Sequence, residues 1–212
     1  MYWWLFLLCP LGYLIGSFNF SKTLAKLRHV DLSKVGSGNA GATNVGRAMG
    51  FKWFLLVTIL EAIKCVTVVL IGYFFVSFYT GEFNYLHSEP HYTVMLAMGL
   101  AGVFGAIYPI WYGFHGGKGI ATWMGVGFVL NPLVMLAAAA IFTPLLMLTR
   151  IMSVSTLLGV AFWVGMSLWL EAPLTTPIIV LYCCFLVLIY WAHRRNLVRL
   201  FTGTEKRLVF KK

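Results

Sequence analysis

Long apolar stretches separated by short polar ones run through almost the whole chain. A helix that crosses the hydrocarbon core of a membrane needs about 20 mainly apolar residues. The pattern therefore predicts an all-α integral membrane protein, built as a seven-transmembrane helix bundle. The seven apolar segments are residues 2–21, 52–79, 92–112, 119–131, 133–149, 153–170 and 174–192.

The fourth segment is short for a full span, and Asn131-Pro132 separates it from the fifth because proline ends or begins helices. Reading 119–149 as one helix gives six spans instead. Charge favours seven. With the N-terminus outside, all 16 Lys and Arg residues except Lys64 lie on the inner side or at its edge, as the positive-inside rule expects. The C-terminus is then cytoplasmic, and the chain is expected to be a single domain, residues 1–212, without internal repeats.

The amino-acid composition further restricts the class of protein. Hydrophobic residues make up 60% of the chain and charged residues 10%, which excludes a disordered chain and is unlike an ordinary soluble domain. The formal net charge of +10 is explained by topology. Nucleic-acid binding is not expected, because no nucleic-acid-binding module is visible and the cations are spread over several loops.

A polar, glycine-rich stretch, residues 36–47, connects the first two segments. Glycines accept positive φ angles, so that successive backbone N–H groups can converge on an anion such as phosphate. Arginine adds a bidentate grip on phosphate. The alternative is a flexible glycine-rich connector. The polar candidates are Ser37, Asn39, Thr43, Asn44 and Arg47, with Gly36, Gly38, Gly41 and Gly46 between them.

A second glycine-rich loop, residues 112–122, precedes the fourth segment and contains Gly116-Gly117-Lys118-Gly119. A helix that starts after such a turn directs free N–H groups and the positive end of its dipole toward a ligand. Gly119 stands where a nucleotide-binding P-loop needs Ser or Thr, so the loop does not predict nucleotide binding. The alternative is a helix start whose lysine only sets topology.

The tail after the last segment is basic, and His193 and Asn196 share one helix face there. Neither adds reliable charge, so both are candidate site residues. The remaining cations are interpreted as contacts to anionic lipid headgroups. This group comprises Arg195, Lys206, Arg207, Lys211 and Lys212.

Glu61 and Lys64 are spaced to pair within the second segment, as a functional site or as a structural ion pair. The inner side otherwise carries many donors but only two acids, Asp31 and Glu205. Such a site suits phosphorylated ligands, one of them lipidic, and an activated substrate, with catalysis by positioning and charge stabilisation. No metal or cofactor is expected, because clustered metal ligands are missing.

Three motifs in order, residues 36–44, 116–122 and 193–196, resemble the bacterial acyl-phosphate:glycerol-3-phosphate acyltransferase family (PlsY). The resemblance implies an inner-membrane enzyme whose active site faces the cytoplasm. It implies transfer of a fatty acyl group from acyl phosphate to the 1-hydroxyl of glycerol 3-phosphate, giving lysophosphatidic acid and inorganic phosphate in phospholipid synthesis. No obligate protein partner is expected. Ser37, Lys118, His193 and Asn196 would be catalytic. The substrate phosphates would be bound by Gly36, Gly38, Asn39, Gly41, Thr43, Asn44, Arg47, Gly116, Gly117 and Gly119.

Four positions depart from the family pattern: Ala106, His115, Glu61 and Ala192. A second hypothesis is therefore a diverged paralogue that acts as a carrier or flippase for phosphorylated lipids or organophosphates, motivated by the intramembrane Glu61 and Lys64. The absence of an internal repeat disfavours it. A purely structural membrane subunit is a third alternative, but it leaves the first glycine-rich loop unexplained.

Overall fold

The computed structural model describes residues 3–83, 88–170 and 174–210, and this part of the chain is helical throughout apart from its connections. Lys211 and Lys212, interpreted from sequence as headgroup contacts, lie outside the described residues. The helices are α1 (Cys9–Gly16), α2 (Phe20–Leu27), α3 (Ala42–Met49), α4 (Phe51–Thr80), α5 (Glu89–Ile107), α6 (Ile120–Leu130), α7 (Pro132–Thr149), α8 (Met152–Leu170), α9 (Thr176–Ala192) and α10 (Arg194–Phe201).

Four of the described helices are long and apolar enough to cross a membrane: α4, α7, α8, and α5 extended through Tyr112. A fifth candidate is α9 with α10, although the pair bends by 61° at His193. The structure thus shows a helical membrane protein with four or five spans by length. The seven-segment topology and the sides of the two termini stay predictions.

The first segment differs from its prediction. A single helix over residues 2–21 was expected, but a 3-10 turn (Trp3–Leu8) leads into α1, which ends at Gly16. A new helix, α2, starts at Phe20 because the Asn19 side chain accepts a hydrogen bond from the Lys22 N–H, 2.8 Å away. Asparagine is a preferred helix N-cap, so the chain breaks here and turns.

The fourth and fifth segments are two helices, as the Asn131-Pro132 dipeptide predicted. The helix α6 spans only 11 residues, about 16 Å at 1.5 Å per residue, and α7 begins with Pro132 at its first position. The alternative of one helix over 119–149 is therefore wrong.

Small residues set the helix packing, as is usual inside membranes. The helix α5 packs against α1, α4, α6 and α9. A Cβ atom on Gly16 would collide with the Gly102 backbone, and one on Gly125 would collide with the Ala62 carbonyl. These close approaches bring α1 onto α5 and α6 onto α4.

A buried ion pair ties the N-terminal break to this bundle. Lys64 Nζ lies 2.6 Å from Glu61 Oε2 and donates to the carbonyl oxygens of Gly16 and Phe18 at 2.8 and 2.6 Å. Glu61 also accepts hydrogen bonds from the Phe20 N–H at 2.9 Å and the Thr122 hydroxyl at 3.3 Å. The predicted pair is present, and its polar atoms satisfy backbone groups freed by the break between α1 and α2.

Candidate active site

A cavity of about 300 Å³ lies where α3, α6, α8 and α10 approach one another. Its lining combines polar groups from the two glycine-rich loops and the tail with apolar side chains. The polar lining includes Ser37, Asn39, Thr43, Arg47, Lys118, His193, Asn196, Arg199 and Glu205, and the apolar lining includes Phe54, Ile120, Met124, Phe142 and Met152.

A second, wider cleft of about 860 Å³ adjoins the cavity on the side of α2 and α10. Both spaces are lined by Ser37, Asn39, Lys118 and Asn196, so the cavity and the cleft meet at these residues. A ligand in either space therefore meets the same polar groups.

The first loop is shaped from within by Asn44, which is 1% exposed. Its side-chain oxygen accepts from the Ser37 N–H at 3.1 Å, and its amide donates to the Leu32 carbonyl at 2.9 Å. Gly36 and Gly38 adopt positive φ angles of 54° and 72°, and a Cβ at Gly36 would collide with Asn44. The glycines thus serve the turn, and the Asn44 side chain holds the loop in shape.

The second loop packs against the first and against α5. The N–H groups of Gly116 and Gly117 each donate at 3.1 Å, to the carbonyls of Ile107 and Ala106. A Cβ on Gly117 would lie 2.8 Å from the Ala40 carbonyl oxygen, too close for any side chain. Gly119 caps α6 with a φ of 74°. These contacts place Lys118 at the start of α6, facing the cavity.

Lys118 is joined to the tail by a chain of hydrogen bonds. Its Nζ donates to Asn196 Oδ1 at 2.5 Å, and Asn196 Nδ2 donates to Glu205 Oε1 at 2.5 Å. Glu205 also accepts from Arg199 Nε at 2.7 Å and from the Ser153 hydroxyl at 2.9 Å. Asn196 is thus the link between a cation and a carboxylate, and its orientation is set from both sides.

The residues after α10 fold back over the site. Lys206 Nζ donates to the Gly36 carbonyl at 2.5 Å, and the Leu208 N–H donates to the Arg150 carbonyl at 2.6 Å. Phe210 packs against Phe54, with ring centroids 5.2 Å apart. The tail therefore closes one side of the cavity. Lys206, interpreted from sequence as a headgroup contact, instead bonds to the first loop.

Packing around Lys118 and Arg47 shifts the pKa values of both side chains. Burial lowers the pKa of Lys118 to about 8, against the attraction of Glu205, and the nearby cations Arg199 and Arg47 lower it further. Burial also lowers the pKa of Arg47. A dianionic phosphate bound here would restore the charge on Lys118 and gain strongly from both cations, because the surroundings screen them poorly.

His193 is 2% exposed and stays neutral. Burial lowers its pKa to about 3, and the neighbouring charge on Lys118 adds to this effect. Its Nδ1 lies 2.9 Å from the Ile189 carbonyl oxygen, a contact that requires the proton on Nδ1. Nε2 then carries a lone pair and can accept a hydrogen bond from a substrate hydroxyl.

The structure brings the predicted site residues together. All of them except Gly36 line the cavity or the adjoining cleft, although they come from three distant parts of the chain. The four catalytic candidates Ser37, Lys118, His193 and Asn196 all line the cavity. Their roles, and those of the phosphate-binding candidates, stay predictions.

Two further functional candidates were not found from sequence: Glu205 and Ser153. Glu205 was noted only as one of two acids on the inner side, and this rarity was the available signal. Ser153 gives no local signal. Within residues 3–83, 88–170 and 174–210, no three His, Cys, Asp or Glu side chains cluster closely enough to hold a metal ion.

The fold and the site together define a class: a helical membrane protein with a cationic, glycine-lined pocket beside an apolar cavity. Residues 6–203 match the glycerol-3-phosphate acyltransferase family. The chain therefore belongs to the glycerol-3-phosphate acyltransferase family.

Individual relatives of similar length support this family membership. The chain is 39% identical over 201 residues to the glycerol-3-phosphate acyltransferase of Myxococcus xanthus, covering 93% of this chain and 96% of the relative. It is 36% identical over 199 residues to that of Agrobacterium fabrum, covering 93% and 89%. Among solved structures, it is similar to the glycerol 3-phosphate form of PlsY, an integral membrane glycerol 3-phosphate acyltransferase. That likeness has a TM-score of 0.83 and 34% identity, covering 97% of this chain and 96% of that one.

Proposed function

We propose that the protein transfers a fatty acyl group from acyl phosphate to the 1-hydroxyl of glycerol 3-phosphate, releasing lysophosphatidic acid and inorganic phosphate. The observation that carries this proposal is the position of Lys118, which lines both the cavity with its apolar side chains and the more polar cleft, and is bonded to Asn196. A lipidic donor and a water-soluble acceptor can reach this ammonium group from the two adjoining spaces. The family name supports the acceptor and the reaction class.

The apolar part of the cavity is suited to an acyl chain. Phe54, Met124, Phe142 and Met152 line it, and burying each methylene of the chain there contributes about 0.8 kcal/mol. The head of the donor then lies at the polar end, where Lys118 and Arg47 face its phosphate. This placement orients the acyl carbonyl toward His193 and Asn196.

The transfer step balances without a strong protein base. The acceptor hydroxyl oxygen forms a bond to the acyl carbonyl carbon, and the bond from that carbon to the phosphate oxygen breaks. Lys118 and Arg47 stabilise the charge that develops on the departing phosphate. His193 Nε2 accepts the hydrogen bond of the hydroxyl and orients it. Because the pKa of His193 is lowered to about 3, the hydroxyl proton passes to the substrate phosphate instead.

We also propose the finer topology: one acyltransferase domain over residues 1–212, with seven membrane segments in a bacterial inner membrane. The N-terminus is then outside, and the C-terminus and the site face the cytoplasm. The distribution of Lys and Arg along the sequence supports this orientation. The short helices α1 and α6 supply the two segments that fall below full spanning length.

Carrier or flippase activity is the weaker alternative. Its motivation was the intramembrane pair of Glu61 and Lys64, and these side chains are bonded to Gly16, Phe18, Phe20 and Thr122. Charges used in this way stabilise the helix break and leave little capacity for a moving ligand.

The test is phosphate release by purified protein in lipid, given palmitoyl phosphate with or without glycerol 3-phosphate. Release that needs both compounds, with lysophosphatidic acid formed, supports the proposal. Palmitoyl-CoA in place of palmitoyl phosphate should give no product. Lys118→Gln should lose about 100-fold in rate, whereas Lys52→Gln, a matched exposed lysine that lines neither space, should not. No release by a folded wild-type protein would overturn the acyl-phosphate reaction.

A further inference from the structure

The wider cleft beside the cavity carries a strong excess of positive charge. Six Lys or Arg residues line it and only one acid, Asp31. The cations are Lys22, Lys26, Lys118, Arg194, Arg195 and Arg199. Three of these residues, Lys22, Lys26 and Arg195, are not among the predicted site residues and do not line the cavity.

The single acid does not neutralise the cleft. Asp31 accepts from the Ser33 N–H at 3.0 Å and from the Ser33 hydroxyl at 2.6 Å, and it pairs with Lys34 at 3.6 Å. The negative charge of Asp31 is therefore balanced by partners within its own loop. Among the described ion pairs, none includes Lys26 or Arg195, and both side chains are exposed.

Lys22 is held toward the cleft by its neighbours. Its Nζ lies 5.2 Å from the centroid of the Tyr112 ring, in cation–π geometry, and Thr23 is hydrogen-bonded to the Tyr112 hydroxyl at 3.0 Å. These contacts hold α2 against the second glycine-rich loop. The cations of α2 thus lie on the cleft wall that leads to Lys118.

We propose that this basic cleft is a capture site that draws a small, water-soluble phosphate monoester to Lys118, while the lipidic donor occupies the adjoining cavity with its apolar side chains. The inference rests on the proposed function for the identity of the monoester, glycerol 3-phosphate. A cleft lined by one sign of charge focuses the field and raises the local concentration and association rate of a counter-charged ligand tenfold or more.

The shared chemistry is phosphate, which an anionic lipid headgroup also offers. The free monoester is favoured because the cations line the cleft, whereas the apolar residues suited to an acyl chain, Phe54, Met124, Phe142 and Met152, line the other space. Two adjoining spaces that share one ammonium group let two substrates of different solubility bind beside each other.

The test compares the double variant Lys26→Gln/Arg195→Gln with Lys52→Gln/Arg207→Gln, which removes the same charge from exposed residues that line neither space. We expect the cleft variant to lower kcat/KM for glycerol 3-phosphate about three- to tenfold and to flatten its dependence on salt. The rate at saturating glycerol 3-phosphate and the KM for palmitoyl phosphate should not change. The control variant should match wild type.

Three outcomes overturn the capture site. One is a cleft variant with wild-type kcat/KM and salt dependence. Another is an equal loss of efficiency toward both substrates. The third is a change only in the response to the content of anionic lipid in the vesicles, which would assign these cations to headgroups.

The equilibrium Kd of glycerol 3-phosphate, measured by calorimetry on the same preparations, separates this inference from the proposed function. Suppose that the wild-type protein transfers no acyl group, but the cleft variant binds glycerol 3-phosphate three- to tenfold more weakly than wild type. This result would overturn the acyl-transfer reaction and support the capture site. An unchanged Kd would count against the capture site.

Discussion

Lys118 Nζ lies 2.5 Å from the side-chain oxygen of Asn196, a residue 78 positions later in the chain. The amide end of Asn196 donates to Glu205, so the asparagine presents its oxygen to the lysine in one orientation only. The lysine is thereby held where the cavity and the basic cleft meet. Most of the proposed chemistry depends on this arrangement.

The charge on Lys118 should set the alkaline limit of activity. Its pKa is lowered to about 8, so in the free protein the ammonium group loses its proton as the pH rises through about 8. We expect kcat/KM for glycerol 3-phosphate to fall above that pH. Lys118→Arg should remove this alkaline decline, because arginine stays protonated. A pH profile of kcat/KM from pH 6 to 10 checks this, and an unchanged midpoint in Lys118→Arg would contradict it.

His193 should act as a neutral acceptor and not as a titrating base. Because its pKa is lowered to about 3, activity should show no acid limb from this residue between pH 5 and pH 8. His193→Gln keeps an acceptor near the position of Nε2, so it should retain about tenfold more activity than His193→Ala. Equal losses in the two variants would indicate that proton uptake by the ring is needed.

Variants of Asn44 and Ser37 should distinguish a residue that maintains the conformation of the first loop from a residue that acts on the substrate. Asn44→Ala leaves the part-buried Ser37 N–H and the buried Leu32 carbonyl without this partner, at a cost of about 1–3 kcal/mol for the buried carbonyl and less for the N–H. It should lower both the thermal unfolding midpoint and the activity. Ser37→Ala keeps the backbone bond of Ser37, so it should lower activity while the unfolding midpoint stays the same. Thermal unfolding in detergent beside rate measurements distinguishes the two; a destabilised Ser37→Ala would refute the assignment.

The two charges of the buried ion pair should be coupled in their effect on stability. Glu61→Gln or Lys64→Met alone should lower the free energy of unfolding by about 3–5 kcal/mol, because each leaves one charge buried without its partner. The double variant should lose less than the sum of the two single losses. Denaturant unfolding of the four proteins measures this difference, and strictly additive losses would show that the charges do not interact.

Glu205 should hold the tail over the site. Its burial raises its pKa, but hydrogen bonds from Arg199, Asn196 and Ser153 lower it more, and the result is a pKa below the usual 4.5. The stabilising contribution of the carboxylate is therefore present above pH 4.5 and is lost as the pH falls through the lower folded-state value.

Glu205→Gln should release the tail at neutral pH. We expect faster trypsin cleavage at Lys206 and Arg207, together with lower activity. Glu82→Gln is the matched control. It alters an exposed carboxylate that follows the C-terminal end of α4, and it should behave as wild type. Unchanged cleavage in Glu205→Gln would show that Lys206, Leu208 and Phe210 hold the tail without it.

The break after α1 shows where sequence patterns stop being sufficient. Hydropathy predicted one segment to residue 21, whereas the chain turns after Gly16. Asn19 is a recognisable helix cap, but the freed carbonyls of Gly16 and Phe18 are satisfied by Lys64, which lies more than 40 positions away. The bend is stable only because α4 supplies that ammonium group, and no local pattern encodes it.

By itself, the sequence determined the class of protein and the composition of the site. Backbone polar groups must be satisfied within each segment in lipid, so long apolar stretches become helices wherever they occur. Glycine, serine and lysine in the two loops indicated an anion site, and residues 193–196 completed the motif set. Only the tertiary structure decided how these parts meet. The contact of Lys118 with Asn196 joins residues 78 positions apart, and the cavity and the basic cleft are each lined by residues from several helices. Helix packing brings together residues that are far apart in the chain. Hydrophobic periodicity does not indicate which helices pack against each other.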